Sequence, residues 1–232
     1  AMLFMLCDHL WATLFPAQEW MTCVGRLAFP IFAFMIAEGC YYTSNVKKYM
    51  LRLFLFAIIS EIPFNLIMGS SVFYLFHQNV LWTFLLGVLS IQIIEKAKKK
   101  QKKWISFFVV CLVLLMDFLL GTITMVDYNA AGILTVLLFY FFRKKTWISF
   151  AAQLIGLYYL NVVMLGNLYY PVTILGHHFE IAQQSFALLA LIPIWLYHGE
   201  QGYHSKWFKY FCYAFYPVHL LILFVIWQWR IR

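Results

Sequence analysis

The chain has 232 residues, of which 64% are hydrophobic, 21% aromatic and only 11% charged. A soluble domain is normally about 45–50% apolar and about 25% charged, so this composition argues against a soluble enzyme, a disordered tail and a conventional nucleic-acid-binding protein. It predicts a multi-pass protein whose partner is the lipid bilayer. A spanning helix with a short connection uses roughly 25 residues, so residues 1–232 have room for about nine spans in a single domain.

Nine apolar segments predict an all-α, polytopic transmembrane helix bundle. They lie at about 2–16, 24–42, 49–68, 79–95, 104–120, 128–142, 147–165, 183–198 and 207–229. The segments 128–142 and 183–198 are short for a full span, so either is expected to be tilted, extended or re-entrant. The first segment is also short. We therefore expect that native residues before Ala1 are missing or that Ala1 is a remnant of cloning.

Basic residues mark alternate connections between these segments. Of the 17 Lys and Arg residues, 14 lie in or beside every second connection, near 47–52, 96–103, 143–145 and 206–209. The other three are Arg26, Arg230 and Arg232. The intervening connections carry no Lys or Arg. Because loops rich in Lys and Arg stay in the cytoplasm, the pattern predicts a cytoplasmic N-terminus and places the end with Arg230 and Arg232 outside.

Polar residues inside the apolar segments are the main indication of function. Ionisable groups at membrane depth are energetically costly and usually face the interior of a bundle. With a rise of about 1.5 Å per residue, most of them fall in the middle and outer half of the membrane, which predicts one shared polar cavity. They are Asp8, His9, Arg26, Glu61, His77, Gln78, Asn79, Asp127, Tyr128, Gln183, Gln184 and His219.

Several of these residues also have purely structural explanations. Asp8 or Glu61 would form an ion pair with Arg26, and the amides of Gln78, Asn79, Gln183 and Gln184 would hold helices together. Asp117, near an outer helix end, is expected to be interfacial.

His9 and His219 are harder to explain by packing, because a histidine in the membrane is a candidate general base. Asp8 lies about 100° around the helix from His9, so it is expected to reach another helix. Tyr216 and His219 share a helix face, and Pro217 between them would loosen the helix.

A second candidate region lies at the predicted cytoplasmic surface. Glu38 is followed by Tyr41 and Tyr42, and the next segment begins with basic residues, so that aromatic and basic groups meet where an adenine-bearing phosphorylated donor would dock. The basic residues are Lys47, Lys48 and Arg52. An aromatic belt at the membrane boundary would give the same composition.

An ordered set of short motifs runs along nearly the whole chain. The motifs are Asp8-His9, Arg26-Leu27-Ala28-Phe29-Pro30, Phe32, Phe34, Glu38-Gly39, Tyr49, Arg52, Ser60-Glu61-Ile62-Pro63-Phe64, Gln78-Asn79-Val80, Asp127-Tyr128, Gln184, Phe186-Ala187, Tyr216-Pro217 and His219. This ordered set resembles the TraX family of bacterial membrane proteins, which is named after the conjugation protein implicated in acetylating the N-terminus of F-pilin. One departure is Asn129, where the resemblance leads us to expect glycine.

The resemblance implies a multi-pass acetyltransferase of the bacterial cytoplasmic membrane that uses acetyl-CoA and no metal. TraX proteins look distantly similar to transmembrane acyltransferases in which a histidine on an early helix serves acyl transfer, a role that His9 would carry here. The acceptor, a peptide or small-molecule amine or hydroxyl, would enter the cavity, and Arg26, Gln78 or Asn79 would stabilise the oxyanion. Asp8 or Glu61 would orient Arg26 or the acceptor. The residues lining the site would be Asp127, Tyr128, Gln184, Tyr216 and His219. Transfer through an acetyl-histidine relay is an alternative mechanism.

Two other classes of function fit the composition. A transporter or channel for a small polar or cationic solute would use Asp8, Glu61 and Asp127 along its path, but the inner halves of most segments are apolar and no internal repeat is visible. A structural or assembly protein would use the same polar residues only to hold helices together.

Overall fold

The structure is a computed structural model that describes residues 1–166, 168–174, 177–200, 202–203 and 205–231. Arg232, for which the sequence predicts an outer position, lies outside the described residues. Contacts between residues divide the chain into two compact units. The first unit contains Ala1–Phe32 and Lys145–Arg232, the second contains Ala33–Lys144, and each is described by itself.

Helices account for most of the described chain, which confirms the predicted helical class. They are α1 (Met2–Thr13), α2 (Glu19–Gly25), α3 (Ala28–Tyr42), α4 (Val46–Met68), α5 (Val80–Lys100), α6 (Lys103–Ile123), α7 (Asn129–Phe141), α8 (Trp147–Tyr158), α9 (Leu191–Leu196) and α10 (Lys206–Ile231). Polar side chains define where several helices begin, since Asn45, Asn79 and Thr146 accept hydrogen bonds from backbone N–H groups of the first turns of α4, α5 and α8.

Six helices in the described part of the chain are long and apolar enough to cross a membrane. They are Glu19–Tyr42, Val46–Met68, Val80–Lys100, Lys103–Ile123, Trp147–Met164 and Lys206–Arg230. Asn129–Phe141 and Gln183–Leu196 are shorter apolar helices, and α1 has only 12 residues. A multi-pass membrane protein is therefore supported, whereas the count of nine spans and the cytoplasmic N-terminus stay predictions.

Helix α6 of the second unit shows how the polar and apolar faces are arranged. Phe107 and Phe108 are 72% and 66% exposed, whereas Asp117 is 3% exposed. The apolar side chains point outward and the polar one inward, as a lipid environment requires. The prediction that Asp117 is interfacial implied an exposed side chain, which the structure does not show. Asp117 is buried in the second unit, where the Ser90 hydroxyl of α5 donates a 2.6 Å hydrogen bond to its Oδ1 atom.

The first unit departs from regular α-helix in three of the predicted segments. The segment 24–42 is divided by a turn at Arg26 and Leu27 between α2 and α3. Helix α8 continues as a π-helix, Tyr159–Met164, and α9 is preceded by a 3₁₀-helix, Gln183–Ala190. A 3₁₀-helix rises more per residue than an α-helix, so Gln183–Ala190 covers a greater length than the same residues would in an α-helix.

A β-hairpin occupies part of the predicted outer connection 166–182. Its strands are β1 (Tyr169–Ile174) and β2 (His177–Ala182), which pair antiparallel from Tyr169 opposite Ala182 to Ile174 opposite His177. The all-α prediction did not include this hairpin. Its second strand runs directly into the 3₁₀-helix at Gln183, which attaches the hairpin to the polar interior of the first unit.

Candidate functional site

Two histidines from opposite ends of the chain meet in the first unit. His9 of α1 and His219 of α10 place Nδ1 and Nε2, respectively, 2.6 Å apart. The ring planes differ by 4° and the ring centroids are 4.9 Å apart. This separation is close to the N–N distance plus the two ring radii, so the rings lie edge to edge in one plane, as an in-plane hydrogen bond requires. His219 is buried.

The hydrogen bonds of His219 decide which nitrogen atoms carry protons in the neutral pair. Its Nδ1 lies 2.6 Å from the carbonyl oxygen of Phe215, which only accepts, so Nδ1 donates. Nε2 of His219 then holds a lone pair and accepts from Nδ1 of His9. The remaining nitrogen, Nε2 of His9, is left with its lone pair. Tyr216, with its ring centroid 6.3 Å from that of His9 and 5.8 Å from that of His219, lies beside both rings.

Next to His9, Asp8 points to a different helix, as its position around α1 predicts. Its Oδ1 accepts a 2.8 Å hydrogen bond from the Thr22 hydroxyl, and its Oδ2 accepts from the Arg26 guanidinium. The Asp8 and Arg26 side chains are 19% and 13% exposed. A Cβ at Gly25 would lie 2.5 Å from the Cβ of Asp8, so α1 and α2 can approach this closely only because position 25 is glycine.

The hydrogen bonds around Asp8 extend to the hairpin. Gln183 donates from Nε2 to the Thr22 hydroxyl over 3.2 Å and to the Tyr170 hydroxyl of β1 over 3.1 Å. We call these residues the Asp8 cluster: Asp8, Thr22, Arg26, Tyr170 and Gln183. The structure thus joins Asp8 and Arg26 as the predicted ion pair.

Two members of the Asp8 cluster, Thr22 and Tyr170, were not among the residues predicted to share the polar cavity. Thr22 and Tyr170 gave no signal in the sequence, since hydroxyl residues near helix ends are common and the hairpin was not predicted. Of the two adjacent glutamines, the prediction chose Gln184, but Gln183 contacts the cluster. Oε1 of Gln184 is buried without a hydrogen-bond partner among the described residues.

In the second unit, Glu61 lies in a separate polar group that we call the Glu61 cluster: Glu61, Asn79 and Trp82. Oε2 of Glu61 accepts hydrogen bonds from Nδ2 of Asn79 and, over 2.8 Å, from Nε1 of Trp82. Asn79 is fully buried. Its Nδ2 also donates to the Ala57 carbonyl, and its Oδ1 accepts from the Leu81 backbone N–H. Asn79 therefore fixes both the start of α5 and the position of Glu61.

The chain segments before α5 and α7 pair with each other and bring four more predicted residues together. The backbone N–H of Gln78 donates to Met125, and the N–H of Asp127 donates back to Gln78, each over 2.9 Å. Nε2 of His77 lies 3.3 Å from Oδ1 of Asp127. Tyr128 and Asn129 have positive φ angles of 62° and 46°. Asparagine tolerates this left-handed conformation better than most residues other than glycine, which explains Asn129 where glycine was expected.

The His77–Asp127 contact predicts a pH dependence of stability. The hydrogen bond from Asp127 raises the pKa of His77 above its usual value of 6.5, although burial acts in the opposite direction. A raised pKa stabilises the folded state fully below the pKa of the unfolded chain, and this contribution disappears as the pH rises through the folded pKa. We expect the melting temperature to fall as the pH rises above about 6.5, and His77→Gln and Asp127→Asn to reduce that fall equally. Melting curves that keep the wild-type pH dependence in both variants would contradict this interpretation.

The predicted donor-binding region lies at the other end of the second unit. Glu38 accepts hydrogen bonds of 2.5 and 3.2 Å from the Arg143 guanidinium, which lies 3.5 Å from the Tyr41 ring centroid and 5.2 Å from that of Tyr42. The sequence predicted only that Arg143 marks a cytoplasmic connection. In the structure Arg143 contacts both Glu38 and the aromatic rings. Lys47 and Lys48 are exposed.

Arg52 gives a further basic group in this region. Its guanidinium carbon lies 5.9 Å from the Tyr49 ring centroid. Its Nε atom is buried without a hydrogen-bond partner among the described residues. The basic part of the predicted donor site is thus available, whereas Glu38 and the Tyr41 ring face are occupied by Arg143.

These features define a multi-pass membrane protein with a histidine pair in one unit and a buried carboxylate cluster in the other. The model of the TraX protein family matches residues 1–227, and the chain belongs to the TraX family. A relative described as a probable fimbrial assembly protein FimC, serogroup H1, of Dichelobacter nodosus is 27% identical over 231 residues, which cover 96% of this chain and 86% of the relative. No solved structure matches the chain.

Proposed function

We propose that this TraX protein is an acetyltransferase of the bacterial cytoplasmic membrane. It would transfer an acetyl group from acetyl-CoA to an amine, such as a peptide N-terminus, or to a hydroxyl acceptor. The observation that carries the proposal is the hydrogen bond between His9 and His219, because the bond from His219 to the Phe215 carbonyl then assigns a lone pair to Nε2 of His9. The relative named as a fimbrial assembly protein supports a pilin-like acceptor.

In the proposed reaction, Nε2 of His9 takes a proton from the acceptor nitrogen or oxygen as that atom attacks the thioester carbonyl. The new C–N or C–O bond forms, and the carbonyl electrons move onto oxygen. When the carbonyl re-forms, the C–S bond breaks and the sulfur leaves with the bonding electrons. The imidazolium of His9 returns its proton to that sulfur, so the acetylated acceptor and free CoA are the products.

The developing oxyanion needs a hydrogen-bond donor. The amide hydrogens of Asn79 go to Ala57 and Glu61, and Nε2 of Gln78 donates to the Leu75 carbonyl over 2.8 Å. We favour Arg26 because it is a cation that Asp8 holds in the same unit as His9. A preorganised donor in a dry site contributes about 3–4 kcal/mol to transition-state stabilisation.

Acetyl-CoA would be recognised at the basic end of the second unit. Lys47 and Lys48 are exposed and Arg52 has a buried N–H to offer, which suits the phosphates of the donor. The Tyr42 ring lies farther from the Arg143 guanidinium than the Tyr41 ring does, so Tyr42 would be the residue that stacks on the adenine ring.

The decisive experiment supplies purified protein in lipid nanodiscs with acetyl-CoA labelled in the acetyl group and an amidated peptide that has a free amino terminus. We expect labelled peptide to accumulate and a matched N-acetylated peptide to stay unlabelled. The proposal is wrong if the wild-type protein neither transfers the label nor binds acetyl-CoA.

A further inference from the structure

The Glu61 cluster contains buried acceptor atoms that nothing in the described chain satisfies. Oε2 of Glu61 has two donors, but Oε1 of the same carboxylate is buried without a hydrogen-bond partner among the described residues. The same holds for Oδ1 of Asn65, a residue that is 2% exposed. A buried acceptor without a donor costs about 1–3 kcal/mol, and more when it is charged. Two such atoms on residues four apart in one helix therefore need an explanation.

Helix geometry places the two residues on one face of α4. Glu61 and Asn65 are four residues apart, which puts their Cβ atoms about 5–6 Å from each other. The orientation of the Asn65 amide is set by its Nδ2, which is 3.4 Å from the Val72 carbonyl oxygen. Turning the amide around would bring two acceptors together, so Oδ1 is the atom left without a donor.

The surroundings of these atoms favour a cationic donor. Both unsatisfied atoms are acceptors, one belongs to a carboxylate, and both N–H donors of the cluster already engage Oε2. The Trp82 indole and the Phe54 ring, with centroids 5.7 Å apart, and the buried Phe64 supply aromatic surface in the same unit. A primary ammonium has three N–H donors and no acceptor, and aromatic rings attract cations.

We propose that Glu61 and Asn65 form a binding site for a primary ammonium group. The ammonium donates one hydrogen bond to Oε1 of Glu61 and one to Oδ1 of Asn65, while Asn79 and Trp82 hold the carboxylate in place. This site lies within the second unit, and its existence does not rest on acetyl transfer or on the role of His9.

The test measures binding of two probes that differ only in the charged group. Glycyl-phenylalaninamide carries a terminal ammonium, because an α-amino group has a pKa of about 8, whereas glycolyl-phenylalaninamide carries a hydroxyl in its place. Titration calorimetry of the protein in nanodiscs should show the ammonium probe binding about ten- to a hundredfold more tightly, as for a hydrogen bond to a charged group. Equal affinities would overturn the proposal.

Two substitutions separate binding from folding. Glu61→Gln keeps the acceptor for Asn79 and Trp82 and brings its own N–H₂ group toward Asn65, so we expect the melting temperature to be maintained or raised while the preference for the ammonium probe is lost. Glu95→Gln is the matched control, since Glu95 belongs to the same unit, accepts from the Tyr140 hydroxyl and lies 3.9 Å from Nζ of Lys98. It should retain the preference. A preference that survives in Glu61→Gln would overturn the assignment.

Discussion

Replacement of His9 by glutamine is expected to reduce acetyl transfer by about 10²- to 10⁴-fold, the usual contribution of a general base. Glutamine can still donate to Nε2 of His219, but its side chain has no basic nitrogen that could take the acceptor's proton. The fold should be kept, because the substitution preserves a polar group of similar size at this position. The measurement is the turnover number with labelled acetyl-CoA, together with thermal unfolding of the same preparation.

The hydrogen-bond order in the pair predicts a graded result for His219. His219→Ala removes the group that orients His9 but leaves the base, so its rate should lie between those of wild type and His9→Gln. His198, which is exposed in the same unit, offers a matched control, and His198→Gln should keep the wild-type rate. If His9→Gln retains full turnover, whether or not its thermal stability falls, the histidine pair serves packing and not proton transfer.

Replacement of Asp8 by alanine is expected to cost about 3–5 kcal/mol of unfolding free energy, as for removal of one partner from a buried ion pair. Both side chains are less than one-fifth exposed, so solvent screens the pair only weakly. The substitution removes the charge that neutralises Arg26 and also the acceptor of the Thr22 hydroxyl. The measurement is the unfolding free energy in mixed micelles at increasing denaturant.

A second substitution tests whether the loss arises from the uncompensated charge. Arg26→Met in the Asp8→Ala background should recover part of the lost stability, because the cation is no longer left without its carboxylate. Glu180→Ala, on the exposed strand β2, is the control, and its effect should stay within about 0.5 kcal/mol. A loss of similar size in the Glu180 and Asp8 variants would show that the Asp8–Arg26 pair contributes little.

Hydropathy and charge were sufficient to predict the helical membrane class, because lipid leaves few alternatives for a backbone that must satisfy its own hydrogen bonds. The Asp8 contact with another helix also followed from local geometry, since neighbouring residues on a helix point about 100° apart. The His9–His219 contact joins residues 210 positions apart in the sequence. Periodicity within a segment carries no information about such a pair, and only the shared polarity of the two segments hinted at it.

The errors have physical causes as well. Asp117 lies near a helix end, but burial depends on the neighbouring helix, and Ser90 supplies a partner that the sequence did not reveal. The hairpin is held by pairing between two short strands, and the first four side chains of β2 are all exposed, so β2 lacks the hydrophobic alternation that would indicate a strand. The choice between Gln183 and Gln184 depended on a 3₁₀-helix that hydropathy cannot distinguish from an α-helix.

The arrangement of protons in the histidine pair has an electrical consequence. Two neutral imidazoles carry no net charge, and the neighbouring Asp8 and Arg26 compensate each other, so these four side chains are electroneutral before the reaction. The proton that His9 takes from the acceptor returns to the leaving sulfur, and no charge remains on the enzyme after a turnover. A membrane potential acts only on charge that moves through it, so a completed turnover leaves no net charge on these four side chains for the potential to act on.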